Sequence, residues 1–214
     1  EDLTARNPRL IYCSISGYGR DGPYRRYPAM DLTVQAMSGV METTGFPDRP
    51  PVKAGPALCD FFAGIHLHSA IMTALYDRER HGTARRVEVA MQDAVYASLS
   101  SSLGLWWGRH GNDLPPRTGN RHGGMAEAPY NVYPALDGWV AIICVGEAHW
   151  RKLVGIMERP DLLDDPRFAD LKSRVAHIED VDAAVSDWTR GQTKQAIFER
   201  LIESGVPAAP VRNL

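Results

Sequence analysis

The sequence predicts an α/β protein on three observations. Two short apolar runs of strand type stand in the first half, helical patterns lie between and after them, and the second half restarts with a hairpin signal. Leu10 to Ser16 is a continuous apolar-leaning run closed by Gly17-Tyr18-Gly19, as a buried parallel strand entering a loop would be. A helix is expected from about Asp31 to Glu42, ending near Gly45, and a loop with Pro47, Pro50 and Pro51 leads on to the turn Ala54-Gly55-Pro56-Ala57-Leu58-Cys59-Asp60. The small-and-apolar stretch from Phe61 to about Tyr76 then reads as a helix. Ala63, Ile65, Leu67, Ala70, Ile71 and Leu75 put apolar surface on more than one of its faces, so it is expected inside the domain. Arg86 to Met91, with Val87, Val89 and Met91 on one side, is a second strand, and Asp93 to Trp107 a further helix. Strand, helix, helix, strand, helix is part of an open, helix-covered sheet, a Rossmann-like layer without a GxGxxG fingerprint.

Between about Gly104 and Gly124 the apolar periodicity stops and Gly, Pro, Arg and His accumulate, as in a linker. Tyr130 to Tyr133 and Trp139 to Val145 follow as two strands joined around Asp137-Gly138. Three helices come next: Trp150, Leu153, Val154 and Met157 share one face, Val181, Val185 and Trp188 another, and Thr193 to Ser204 stops at Gly205. Trp150 and Trp188 read as core fillers. The expected division is residues 1–105 as part of a large sheet domain, 106–124 as linker and glycine-containing loop, and 125–214 as a small α+β domain.

Composition narrows the function classes. With 24 Lys and Arg against 26 Asp and Glu, net charge −2, there is no global basic field for nucleic acid, and the pairs Arg25-Arg26 and Arg85-Arg86 read as solvated surface. Cys13, Cys59 and Cys144 form no CxxC pair and suit a reducing cytoplasm better than a disulfide framework. No metal site is legible, and no apolar run is expected to reach the ~18–20 residues of a membrane span. The chain opens at Glu1 without a signal peptide's basic start and apolar stretch, and reads like the middle of a protein.

Asp60 is the residue on which chemistry is most readily placed. The Gly55-Pro56 turn hands the chain to it at an expected N-cap position, at the edge of a core helix. It reads either as a cap or as a reactive carboxylate. Cys59 is a rival nucleophile, but no basic partner is evident near it. His66 and His68, two apart on a helix, do not share a face and make no metal pair.

The surroundings of Asp60 favour chemistry. Upstream stands Asp31-Leu-Thr-Val-Gln-Ala-Met-Ser-Gly39-Val-Met-Glu-Thr-Thr-Gly45, and downstream Thr83-Ala-Arg-Arg-Val-Glu-Val-Ala-Met91-Gln92-Asp93-Ala94-Val95. Further on come Gly119-Asn-Arg-His-Gly123-Gly124, Ala128-Pro129-Tyr130 and Asp137-Gly138. In that order and spacing the chain resembles the class III CoA-transferases, from Asn7-Pro8-Arg9 to Gly205-Val206-Pro207. The resemblance implies that Asp60 is the nucleophile. It also implies that Pro28, Ala29, Met30 and Asp31 line the CoA and acyl site, and that Gly123-Gly124 belongs to a glycine-rich loop that covers the aspartate. On residues alone, Gly123-Gly124 reads equally as a flexible linker, and Asp31 equally as a helix cap. The resemblance further implies a homodimer, further chain before and after these residues, and a coenzyme A thioester and a small carboxylic acid as substrates, with no permanently bound cofactor.

Such a carboxylate has to be ionised yet shielded from water. Full burial raises a carboxylate pKa by up to ~3–5 units, whereas a helix N-terminus contributes only ~0.3–1 kcal/mol, so Asp60 is expected to be partly buried and held by backbone N–H groups that also meet a developing oxyanion. Two alternatives are carried forward. One is an α-methylacyl-CoA racemase-like isomerase, whose branch has a His before the residue matching Asp31, where this chain has Met30. The other is a non-catalytic CoA-binding or assembly module.

Overall fold

The computed structural model describes residues 2–111, 115 and 117–214 of a mixed α/β chain. Its contacts divide it into two units, residues 1–104 with 115–117 and residues 105–114 with 118–214. The division falls inside a helix that runs on to Gly108, into the stretch read as linker.

Unit 1 holds α1 (Asp2–Arg6), β1 (Tyr12–Ser16), α2 (Asp31–Ser38), α3 (Leu58–His81), β2 (Arg86–Ala90), α4 (Met91–Tyr96), a short 3-10 turn (Ala97–Leu99) and the start of α5 (Ser100–Gly108). β1 and β2 pair in parallel from Tyr12 opposite Arg86 to Ser16 opposite Ala90, and α2 and α3 lie in the crossover that a parallel pair requires. Val34 and Val40, Cys59 and Ala63, and Met91, Ala94 and Val95 form the buried cluster. A methyl group on Gly17 would run into the Cβ of Ala29, so the end of β1 and the segment before α2 approach as only glycine allows.

The helix carrying Asp60 departs from expectation in three ways. It spans 24 residues rather than about sixteen and starts at Leu58. It ends on Gly82, whose φ of 76° and N–H donated to the Arg78 carbonyl make a left-handed cap. It is also not a core helix within unit 1. Cys59, Ala63 and Ala74 are buried, whereas Phe61, Ile65, Met72 and Tyr76 are each more than half exposed. Small side chains on one stripe let α3 pack on the strand pair, and the larger apolar ones fall on the opposite stripe, which periodicity alone does not rank. By length and composition α3 could also cross a membrane, against the expectation that no run is long enough. Here it packs along α2, α4, β1 and β2.

Unit 2 is a three-stranded antiparallel sheet, β3 (Tyr130–Ala135), β4 (Gly138–Ile143) and β5 (Ala208–Pro210) in that order, with α6 (Glu147–Ile156), α7 (Asp161–Asp164), α8 (Leu171–Ala176), α9 (Ile178–Thr189) and α10 (Lys194–Glu203). Ala135 pairs with Gly138, so the hairpin turn is Leu136-Asp137, one residue earlier than expected. Asp137 Oδ1 accepts the Lys194 N–H at 2.7 Å, tying the turn to α10. The core joins Tyr133, Val140 and Ile142 of the sheet to Trp150, Leu153, Val154, Val181, Val185, Ile197 and Leu201, and Trp188 packs against it partly buried. Five helices stand where three are expected, because α7 and α8, of four and six residues, are too short to show a period. The buried Asp182 accepts hydrogen bonds from Arg121, Asn131 and Tyr133, at 2.8, 2.9 and 2.8 Å respectively.

Candidate active site around Asp60

Asp60 occupies the third position of α3, not the N-cap, which is Ala57. The chain enters the helix directly from Pro56, whose carbonyl accepts the Leu58 N–H at 2.9 Å. An acidic residue in the first turn is favoured by the helix dipole. Asp60 is exposed rather than partly buried, and its side chain makes no hydrogen bond or ion pair among the described residues. The first turn is not a free oxyanion cradle either. The N–H groups of Leu58, Cys59 and Phe61 are committed to the Pro56 carbonyl, Asp31 Oδ1 and the Ala57 carbonyl.

The cap is supplied from α2, 28 positions upstream. Asp31 Oδ1 accepts the Cys59 N–H at 2.9 Å, and Oδ2 accepts from Gln35 Nε2 at 2.7 Å. Gln35 is fully buried; its Oε1 accepts the Ala54 N–H at 2.9 Å, and its Nε2 also reaches the Pro56 carbonyl at 3.4 Å. Asp31 therefore caps the helix of Asp60 rather than its own, where Thr33 Oγ1 accepts the Met30 N–H at 3.0 Å. Sequence reasoning misses Gln35. The available signal is a polar side chain four residues after Asp31, on the α2 face shared with Val34 and Ser38.

The open face of α3 that starts at Asp60 carries Phe61, Gly64, Ile65 and His68 and borders a space of about 380 Å³. His68 stands on this face, while His66 turns its Nδ1 to the Phe62 carbonyl at 2.8 Å. Cys59 is fully buried, and burial, helped by the charges of Asp31 and Asp60, pushes its pKa up to about 11. A thiol so held is no nucleophile near neutral pH.

Pro28 and Met30 are exposed, Met30 at 74%, and Ala29 packs half-buried against the unit 1 core. An exposed thioether at position 30 transfers no proton, so the isomerase reading is not favoured. Arg85 pairs with Asp77 at 2.7 Å and Arg25 reaches the Gly22 carbonyl at 3.4 Å. Gly123 and Gly124 are half-buried in unit 2, where the Gly124 N–H donates to His122 Nδ1 at 3.2 Å and the His122 ring meets Tyr130 edge-on at 5.4 Å. The structure thus joins Asp31 to the first turn of Asp60's helix, and places the two glycines in the other unit.

The site thus offers one exposed carboxylate at the head of an apolar helix face on an α/β scaffold. The sequence model described as CoA-transferase family III matches residues 1–214, and the chain belongs to that family. An acetyl-CoA:oxalate CoA-transferase from Acetobacter aceti is 39% identical over 215 residues, which are 100% of this chain and 54% of that protein. A succinate–glutarate CoA-transferase from Agrobacterium fabrum is 37% identical, over 100% of this chain and 52% of its own length. Among solved structures, a CaiB/BaiF family protein from Brucella suis superposes with TM-score 0.79 at 34% identity, over 99% of this chain and 55% of its own. The Mycobacterium tuberculosis protein Rv3272 gives 0.84 at 29%, over 99% and 54%. The chain spans about half the length of the curated relatives it matches.

Proposed function

We propose that the protein moves coenzyme A between an acyl-CoA thioester and a free carboxylic acid through covalent intermediates on Asp60. The carrying observation is the Asp60 carboxylate, unpartnered among the described residues and at the head of the exposed apolar face of α3, in a chain whose relatives are named CoA-transferases over its whole length. In this reading the carboxylate attacks the thioester carbonyl, the C–S bond breaks, and CoA leaves as thiolate. The thiolate then attacks the Asp60 carbonyl of the mixed anhydride, releasing the donor acid and leaving an aspartyl-CoA thioester. An acceptor carboxylate attacks that thioester, the thiolate leaves again, and its attack on the acceptor's own acyl carbon forms the new thioester and frees Asp60. No water-activating base is needed.

The relatives' names carry oxalate, succinate, glutarate and mesaconate, which supports a small dicarboxylic acid as one of the two acids. A homodimer and a cytoplasmic setting belong to the same proposal. The large exposed apolar side chains of α3 support the first, and three free cysteines the second. Asp60 is exposed within unit 1, so the dryness the anhydride requires would come from beyond the packing around α3. The test is isotope exchange with the protein at its full natural length. Labelled oxalate, succinate or glutarate is expected to enter the CoA thioester pool of a different donor. A 2-methylacyl-CoA is expected to take up no solvent deuterium at its α-carbon. Deuterium uptake without acid exchange would replace the transferase reading by the isomerase one.

A further inference from the structure

Asp31 and the fully buried Gln35 form a linkage in unit 1 that the transfer chemistry does not use. We propose that these two side chains are positioning residues, a clamp that fixes where the first turn of α3 presents Asp60, and that Asp31 is not a substrate ligand. The inference rests on Asp60 being the nucleophile.

The geometry leaves little slack. Asp31 spends one carboxylate oxygen on the Cys59 N–H, next to Asp60, and the other on Gln35. Gln35, with no exposed surface, passes the restraint to Ala54 and Pro56, at the start of the turn that feeds α3. Residues 54 and 59 are thereby pinned to one turn of α2. Local restraint is lighter: Ala57 has no side-chain oxygen to cap the helix, the segment contains Gly55, and the local bonds are the exposed Lys53 ammonium to the Ala54 and Gly55 carbonyls, both at 3.0 Å, and the Leu58 N–H to the Pro56 carbonyl at 2.9 Å. A carboxylate that has to attack one carbonyl and later present its own to a thiolate depends on placement, and a shift of about 1 Å in such a group costs on the order of 100-fold in rate.

The donor and acceptor roles make the clamp testable by exchange of partners. In Asp31→Asn, the new amide meets the Gln35 amide, and whichever way Gln35 is turned, one N–H faces another across a hydrogen-bond distance. In Gln35→Glu, two carboxylates face each other instead. In the double variant Asp31→Asn with Gln35→Glu, the amide oxygen introduced at position 31 still accepts the Cys59 N–H, its amide nitrogen donates to the new carboxylate at position 35, and that carboxylate still accepts the Ala54 N–H. The three short hydrogen bonds return with the same net charge, and the one contact not restored is the long one, 3.4 Å, from position 35 to the Pro56 carbonyl.

The experiment follows the single-turnover rate at which acyl-CoA adds mass to Asp60, together with kcat, KM and thermal stability, in the full-length protein. Each single variant is expected to lower the rate of adduct formation and kcat about 10- to 100-fold with KM for acyl-CoA changed less than threefold, and the double variant to recover to within about threefold of the unaltered protein. Lower stability with unchanged kcat in the folded single variants would make the pair merely structural. A change confined to KM, or a stable double variant that stays slow, would return Asp31 to substrate binding. Failure of the underlying reading looks different: no adduct at Asp60 in the unaltered protein, which overturns clamp and nucleophile together.

Discussion

Asp60→Asn is expected to lower CoA transfer by roughly 10⁴- to 10⁶-fold, the order seen when a covalent nucleophile is removed, while the fold is retained. The amide is nearly the same size and does not attack a thioester. The cost to stability is small for a specific reason. Asp60 stands in the third position of α3 and makes no hydrogen bond among the described residues, so the substitution forfeits only its interaction with the helix dipole, ~0.3–1 kcal/mol. Asp60→Ala is expected to behave alike in both respects, because the cap belongs to Asp31. Steady-state rates beside thermal melts check this, and a folded Asn variant with more than a tenth of normal turnover would contradict it.

Arg174→Ala is expected to destabilise unit 2 by about 3 kcal/mol or more, lowering its melting temperature by at least ~10 °C. The guanidinium is fully buried, bonds both oxygens of Glu147 at 2.8 and 3.0 Å, donates to the Ala128 and Phe168 carbonyls, and lies over the Trp150 ring at 5.2 Å. Alanine leaves a void beside Trp150 and two carbonyls without their donor. Glu147 is partly exposed and regains water, which keeps the expected cost at the low end for a broken buried pair. Lysine restores the charge but not the fork, so Arg174→Lys is expected to recover less than half of the loss. Thermal unfolding followed by tryptophan fluorescence measures both, and a loss under 1 kcal/mol in the alanine variant would refute the anchoring role.

These two residues show where the sequence was legible and where it was not. β1, β2 and the hairpin follow from apolar runs and turn residues that act locally, and α6 and α9 from apolar stripes spaced as a helix spaces them. Asp60 could be singled out because Gly55-Pro56 and the helical stretch after it are contiguous. Its true helix position could not, because the capping oxygen comes from Asp31, 28 residues away, and a cap is sought in sequence beside the helix it closes. Arg174 sits in a six-residue helix too short to reveal a buried face, and its partners Ala128 and Glu147 lie 46 and 27 residues upstream. The exposure of Phe61, Ile65, Met72 and Tyr76 escaped for a related reason: a helix apolar on several faces does not say which face its own domain covers.

The central claim, that Asp60 carries the transferred groups, is tested most directly by trapping. The full-length protein is incubated with an acyl-CoA it turns over and then treated with hydroxylamine, which converts an activated aspartyl anhydride or thioester to a stable hydroxamate. Peptide mass spectrometry then locates it. A hydroxamate is expected on Asp60, dependent on acyl-CoA and absent from Asp60→Asn; acid exchange at full rate with an unmodified Asp60, or with the label on another residue, would rule Asp60 out as the nucleophile.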